Sequence, residues 1–399
     1  MIYIAIFLIL LIFAIAETQL NERSKWVLQT IAWLVLVFVA GTRYETGGDW
    51  DVYTYIFEEE VVPFSKGLSQ HNFGAEHIEL AFVLLCSVIK QLGGNIQWVF
   101  FIVTLVNISI LWYVLRRTTK YVLFGMLAYY ALCYFALDML YTRQSTSVLL
   151  CMLAVIFADD WKDWWKYMLI VVLAAACHRM ALIMIPVYFL LHKGWNDYVY
   201  YGLIGLGCVL MLFGVRWLIP VFVGVCKLLG ESFYMRAIYY TQNLEFAVQR
   251  GVSMGFILNL ALFLLFTWKK KAIFEHKFGV QFFNLFIMSL VIYYYGYELI
   301  EVSNRFRFYF LSSLVVLFPM LIEVLEWTIN KLIVGLGIVG YLFLYSRAIF
   351  LGKPEAIAYH PYQNYIVYTM EKKFSTGEER LEKSIQNTRQ NRKVMKKNR

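Results

Sequence analysis

Charge is scarce in this chain. Only 16% of its 399 residues are Asp, Glu, Lys or Arg, while 61% are hydrophobic. The mean hydropathy is +0.61. A soluble domain carries roughly a quarter charged residues, so a soluble globular enzyme is excluded. Long polar stretches are missing too, and no loop between apolar segments has room for a separate soluble domain. The six cysteines (Cys86, Cys133, Cys151, Cys177, Cys208, Cys226) fall in apolar segments without C-x-x-C or disulfide-like spacing. They read as small buried hydrophobes and say nothing of redox compartment. No P-loop, G-x-S-x-G, H-E-x-x-H or EF-hand pattern occurs, which argues against nucleotide-driven or metalloprotease chemistry. No internal repeat stands out. Met1–Ala16 lacks a basic n-region and an A-x-A site, so it reads as a first span and not a signal peptide.

What is present is apolar runs of about 17–25 residues, long enough to cross a bilayer core of about 30 Å. They fall near 1–16, 26–41, 76–92, 97–115, 121–137, 144–159, 165–191, 198–215, 217–229, 252–268, 279–297, 306–326 and 332–351. The expected fold is all-α: a polytopic integral membrane protein of roughly 11–12 hydrophobic helices. One transmembrane domain, 1–351, carries large outer loops at 42–75 and 231–250. A tail, 352–399, follows. Within it Glu371–Arg399 holds ten Lys/Arg against four Glu and reads as a cytoplasmic segment near anionic headgroups. Twenty-nine Tyr and twelve Trp, many at segment ends, suit interfacial belts.

Orientation follows from Lys/Arg in short loops. Arg116-Arg117-Lys120, Lys162–Lys166 and Lys269-Lys270-Lys271 agree as cytoplasmic, which places 42–75, Asp138–Arg143, Tyr234–Arg250 and Gly296–Arg305 outside. The count is off by one at both ends. A re-entrant or half-penetrating helix near 76–92 repairs the first mismatch. The side of the tail stays open.

Polar residues in such a chain are expensive and point to function. The first loop holds Arg43, Glu45, Asp49, Asp51 and Tyr53 around Gly47-Gly48. The two glycines permit a tight turn and close backbone approach to a ligand. Arg43 has the fork that suits phosphate, and Asp49 the carboxylate of a general base. Glu79 heads an apolar segment. Arg143-Gln144 opens another, where an outward arginine runs against the charge bias. His178-Arg179 lies within Met168–Leu190; the histidine has no second ligand at metal spacing. Arg305 and Arg307 open a late span, and their i, i+2 spacing points only one inward. Each has a plainer reading as a solvated loop, a snorkelling side chain or a helix-end charge. Together Arg43, Arg143, Arg236, Arg250 and Arg305 share one sign and one side. Such a field favours a polyanion such as a diphosphate.

These residues also resemble a known family. Arg43…Gly47-Gly48-Asp49…Tyr53…Phe57 is similar to the R-x-x-x-G-x-D-[YW]-x-x-Y-x-x-x-F signature of the EpsG/Wzy-type polysaccharide polymerases. Ile78-Glu79-Leu80-Ala81-Phe82 resembles the E-P-G-F element, with Leu80 and Ala81 replacing Pro and Gly. Arg143-Gln144 resembles an R-Q element. Cys177-His178-Arg179-Met180-Ala181-Leu182 resembles F-H-K-x-A-L, with Cys for Phe and Arg for Lys. Arg305 matches a late arginine, and Ala358–Tyr362 a P-Y element.

The resemblance implies a membrane glycosyltransferase of GT-C-like fold. It would join undecaprenyl-diphosphate-linked oligosaccharide units at the outer face of the bacterial inner membrane. No cofactor and no metal are implied, because the sugar–diphosphate bond stores the energy. The implied partners are the lipid-linked oligosaccharide, the bilayer, and a chain-length regulator and flippase of the same pathway; nucleic acid is not among them. Asp49, His178 and Glu79, in that order, are the catalytic candidates. Arg43, Gly48, Tyr53, Arg143, Gln144, Arg179 and Arg305 are the substrate-binding candidates. The alternatives are an O-antigen-ligase-like or other lipid-linked glycosyltransferase, and a transporter of lipid-linked sugars. A ligase should carry a large late loop, and a transporter broken helices in matching positions; neither is visible in the sequence.

Overall fold

The computed structural model describes residues 2–67, 78–158, 160–242 and 252–397. Helices account for nearly all of its regular structure, and no strand occurs among the described residues. The chain is a multi-pass α-helical membrane protein, as its composition predicts. Four helices are long and apolar enough to span a bilayer: Glu22–Gly41, Ile96–Thr118, Val302–Val324 and Thr328–Phe350. Seven shorter apolar helices of 10–17 residues accompany them, with one pair, Asp197–Phe213 and Leu218–Leu228, bent by 100°. Gly335, Gly337 and Gly340 have dinucleotide-motif spacing but lie inside one continuous helix, so they form no phosphate-binding turn.

Where the sequence reads one span-bearing domain over 1–351, the chain packs as two compact units. One comprises residues 1–188 and 318–399, the other 189–317. In the first unit, α1 is Ile2–Glu17, α2 Glu22–Gly41, α3 Trp50–Tyr55, α4 Leu80–Gln91, α5 Ile96–Thr118, α6 Val122–Leu137, α7 Thr142–Phe157 and α8 Trp164–Cys177. The Asn21 side chain caps α2 through Ser24 N, and Asn95 caps α5 through Gln97 N. Both satisfy orphan N–H groups at helix starts. Arg116 and Arg117 close α5 where the helix dipole favours cations.

α5 is the axis of this unit. Val99, Phe100, Val103, Asn107, Leu111 and Val114 recur at helical spacing, and all are buried. α2 and α7 pack on this helix. Polar groups tie the apolar faces together. Asn107 donates to Asp138 Oδ1 at 2.8 Å and to Ser145 Oγ at 2.7 Å. Tyr129 donates to Asp138 Oδ2 at 2.6 Å. In hydrocarbon these interhelical bonds supply directional adhesion that apolar contact alone lacks.

The parity mismatch near 76–92 has a geometric answer. Tyr365 N donates to Thr42 O at 2.8 Å, and Asn95 Nδ2 donates to the Tyr365 hydroxyl at 2.8 Å. Residues 42 and 95 therefore lie together, and the chain between them makes no net crossing. α4 has 12 residues, about 18 Å, short of a bilayer core. The same contacts correct the reading of the tail. Tyr44 N donates to Gln363 O, Gly47 N to Ala358 O, and Arg380 Nη2 to Glu45 O. The tail is thus bonded to the first loop. A cytoplasmic tail and an outer first loop cannot both hold.

The segment 165–191 is not one helix. α8 ends at Cys177, His178 is extended at φ −158° and ψ 117°, and a 3-10 turn, Arg179–Ile183, precedes Met184–Leu191. His178 thus sits at a break and not at mid-helix. Ala174 O accepts from His178 N at 2.9 Å and His178 O from Ala181 N at 3.0 Å, and the Ser147 hydroxyl adds a bond to Ala174 O at 2.8 Å, with His178 O 3.3 Å away, so the break leaves neither carbonyl open. The second unit holds the 100° bend. Broken helices therefore do occur, although the sequence showed none.

Candidate active site

The first loop folds as a scaffold before any side chain acts. Gly47 has φ +95°, and a Cβ there would strike the carbonyl of Met139; one on Gly48 would strike the Leu140 side chain. The two glycines thus admit the Met139–Leu140 turn and not a ligand, which corrects the close-approach reading of Gly48. Asp49 follows in the left-handed region at φ 53°, a strained conformation for a non-glycine residue, and it opens α3. Beyond α3 the chain makes a π-helical turn, Ile56–Glu60. Lys90 of α4 caps its carbonyls, donating to Phe57 O and Glu58 O at 2.8 Å and Val61 O at 2.9 Å. This clamp fixes α4, and with it Glu79, against the loop.

Three element ends converge at Glu79. It precedes α4, Arg143 lies in the first turn of α7, and Arg179 follows the break after α8. Arg143 Nη1 donates to Glu79 Oε2 at 2.8 Å. Arg179 Nε lies 3.8 Å from Glu79 Oε1. The Glu79 side chain is only 8% exposed, against 22% for Arg143 and 55% for Arg179. Glu79 is thus a buried counter-ion and not a carboxylate reaching for water. Two cations share it, and Arg179 is the more exposed of them.

Tyr53 joins this cluster from α3. Its ring lies 5.9 Å from the Arg143 guanidinium and packs edge-on to Phe100. Burial raises the phenol above its ordinary value; Arg143 pulls it down and Asp49 pushes it up. The phenol stays neutral, a donor within the field of both groups. Asp49 is partly exposed and acts on Tyr53 and Tyr359. His178 is partly buried, one residue before Arg179.

Arg43 lies a layer deeper. It is fully buried, donating to Ala40 O at 2.9 Å and Thr142 Oγ1 at 3.0 Å, with its guanidinium 4.0 Å over the Phe100 ring. Burial lowers it to about 10, Asp138 holds it up, and it remains cationic at neutral pH. The sequence reading had it touch phosphate. In the structure it ties α2 to the start of α7, next to Arg143. Gln144 is also buried.

The structure brings Glu79, Arg143, Arg179 and Tyr53 together, with Asp49 and His178 beside them. Arg305 lies in the second unit. There its neighbour Arg307 donates to Asn259 Oδ1 at 2.9 Å and Ser289 Oγ at 3.3 Å. Arg250 and residues 68–77 lie outside the described residues, as does the Arg236 side chain. Sequence reasoning passed over Asp138 as a site residue, a buried acid that accepts a hydrogen bond from Asn107 of α5. It also passed over Lys90, Gln363 and Arg380, which brace the loop from elsewhere in the chain. A lysine amid apolar sequence was the available signal for Lys90; Arg380 lies in the charged stretch Glu378–Lys383 and carries none.

No curated protein and no solved structure matches the chain. Residues 26–366 match the model of the EpsG family. That span includes every residue of the Glu79 cluster and the Ala358 and Gln363 carbonyls that bond the first loop, and the chain belongs to the EpsG family, as a membrane protein of the polysaccharide-polymerase type.

Proposed function

We propose that the protein is a glycosyltransferase that joins undecaprenyl-diphosphate-linked oligosaccharide repeat units into a surface polysaccharide. The reaction would take place at the outer face of the bacterial inner membrane. The observation that carries this reading is the Arg143–Glu79–Arg179 cluster beside Asp49 and Tyr53. A polyanion meets two guanidinium groups there, next to a partly exposed carboxylate. An attacking sugar hydroxyl gives its proton to Asp49 as its oxygen bonds the anomeric carbon of the donor. The anomeric carbon–oxygen bond to the diphosphate breaks, and Arg143 and Arg179 stabilise the departing charge. Glu79 holds the Arg143 fork in place and gives up part of that contact as the diphosphate arrives. Energy comes from the donor bond. His178 is the second choice as base, with an unperturbed pKa nearest neutrality among side chains. A flippase would deliver the units, and a chain-length regulator would act on the product.

The decisive experiment supplies lipid-linked oligosaccharide to purified protein in liposomes. A ladder of polymer supports the proposal. Transfer to lipid A core identifies a ligase; movement without bond formation identifies a transporter. Orientation is tested with Leu140→Cys and Gln386→Cys in a background without native cysteines. Both should react with an impermeant thiol reagent from outside intact cells. Labelling of either only after membrane disruption overturns the outer-face assignment.

A further inference from the structure

The second unit holds a cavity of about 160 Å³ that the polymerase reading does not use. It lies beside the turn 192–196, which joins the helix Met184–Leu191 to the helix Asp197–Phe213. Val199, Tyr200 and Leu203 form one wall, Ile287 and Met288 of the helix Gly279–Tyr295 another, and Trp195 stands at the turn. From Asp197 to Leu203 a helix runs about 9 Å, so the cavity leads from a polar turn to apolar depth. Val199 and Leu203 are exposed, at 47% and 37%, and on a membrane helix such side chains face acyl chains. The polar wall residue, Asn284, is engaged within the protein. Its Nδ2 donates to Leu190 O at 2.7 Å and Lys193 O at 3.0 Å, and its Oδ1 accepts from the Tyr200 hydroxyl at 2.8 Å. The remaining walls are hydrocarbon, so the body of an occupant is too.

The turn end of the cavity is cationic. Two ammonium groups meet at Trp195: Lys193 Nζ lies 4.3 Å from its ring centroid, and Lys270 Nζ donates to its carbonyl at 3.4 Å. Lys270 also lies 5.1 Å from the Tyr200 ring and pairs with Asp197. Lys193 is exposed and makes no ion pair among the described residues. One carboxylate thus answers two cations at the same tryptophan. Lysines beside Trp and Tyr at the end of a membrane helix stand at headgroup depth.

We propose that this cavity takes an acyl chain of an anionic glycerophospholipid, whose phosphate lies between Lys193 and Lys270. The inference is independent of the polymerase reading. The site is built and not a stretch of bulk lipid contact, because the Asn284 bonds fix the turn that carries Lys193. Asp197 is the competitor within it. Its side chain is 58% exposed, against 12% for Lys270, and the phosphate must share Lys270 with it.

The probe is phosphatidylglycerol, bound to detergent-solubilised full-length protein and read by native mass spectrometry beside phosphatidylcholine of the same chains. Wild type should retain the anionic lipid in preference. Lys193→Gln should weaken phosphatidylglycerol about fivefold, the effect of one cation at a membrane surface, and leave phosphatidylcholine unchanged. Val199→Trp obstructs the cavity at a position exposed enough to take bulk, and should weaken both lipids. Asp197→Asn should act in the opposite direction and tighten phosphatidylglycerol, because it frees Lys270; simple damage to the fold would weaken it. Equal retention of the two lipids by wild type overturns the proposal. So does unchanged phosphatidylglycerol binding in Lys193→Gln or in Val199→Trp, or weaker binding in Asp197→Asn. Glycerol phosphate, which has the head and no chains, should not be retained; retention as strong as that of the lipid would place all affinity at the lysines and remove the acyl site. Undecaprenyl phosphate retained above phosphatidylglycerol and lost in Val199→Trp would make the cavity a site for the carrier and overturn the proposal as well.

Discussion

The two units handle a buried arginine in opposite ways. In the first, Arg143 meets a carboxylate, Glu79, which Arg179 shares. In the second, Arg307 is held by neutral groups: Asn259 Oδ1, Ser289 Oγ and the Tyr293 ring at 4.8 Å. The acid of the second unit works elsewhere. Glu298 accepts from Trp217 N at 2.9 Å and Leu218 N at 2.7 Å, and so caps the helix beyond the 100° bend. Beside Arg307 is a cavity of only about 20 Å³, against about 150 Å³ beside Arg143. A charge paired with an acid is stabilised in place but ready to exchange partners with an incoming anion. A charge held by neutral dipoles is chiefly a structural tie. The proposed reading assigns the chemistry to the first unit.

The largest test removes the base. Asp49→Asn should lower polymerisation by roughly 10²–10⁴-fold while the lipid-linked unit still binds. A near-normal rate would move the base to His178, and His178→Ala should then produce the loss.

Next, the two arginines are set against each other. Arg143→Lys keeps the charge but loses the fork, and should cost on the order of 10²-fold in polymer rate. Arg307→Lys should cost no more than about tenfold, measured at matched protein levels. The reverse order would put the diphosphate in the second unit and undo the comparison.

Arg43 separates a tie from a ligand contact within the first unit. Arg43→Leu strips the hydrogen bonds to Ala40 and Thr142 and should destabilise the protein by about 1–3 kcal/mol. Polymer output should fall in step with the amount of folded protein. Full folding with lost activity would show that Arg43 touches substrate.

The smallest effect concerns pH. Burial raises Asp138 to about 6, against hydrogen bonds from Tyr129 and Asn107 and the charge of Arg43. The folded state therefore holds a proton that the unfolded state has lost between about pH 4 and pH 6. Stability should be greatest below that window, fall as pH rises through it, and level off above it. The change is read as a melting temperature in detergent. Asp138→Asn should flatten the profile; a profile unchanged by that substitution would show that another group titrates.

Much of this was legible in the sequence, for a stated reason. An acid or arginine costs so much near hydrocarbon that Glu79, Arg143 and Arg179 stand out against apolar neighbours, and all three meet. Other readings failed where the determinant was distant. Gly47 and Gly48 look like a ligand turn until Met139 and Leu140 are seen against them. The break at His178 carries neither Gly nor Pro, and the Ser147 hydroxyl that supports it lies on another helix. Arg305 and Arg307 are told apart only by what faces them.

Composition and hydropathy by themselves determined an all-helical, multi-pass membrane protein, because twenty apolar residues have few other stable fates. The same sequence determined which polar residues demand an explanation. Only the tertiary structure decided which of those meet and which lie apart. It alone brought residues 42 and 95 together through Tyr365, bonded the tail to the first loop, and left a cavity beside α5. Side and partnership depend on contacts between residues up to 335 positions apart, and no local pattern encodes a contact across that distance.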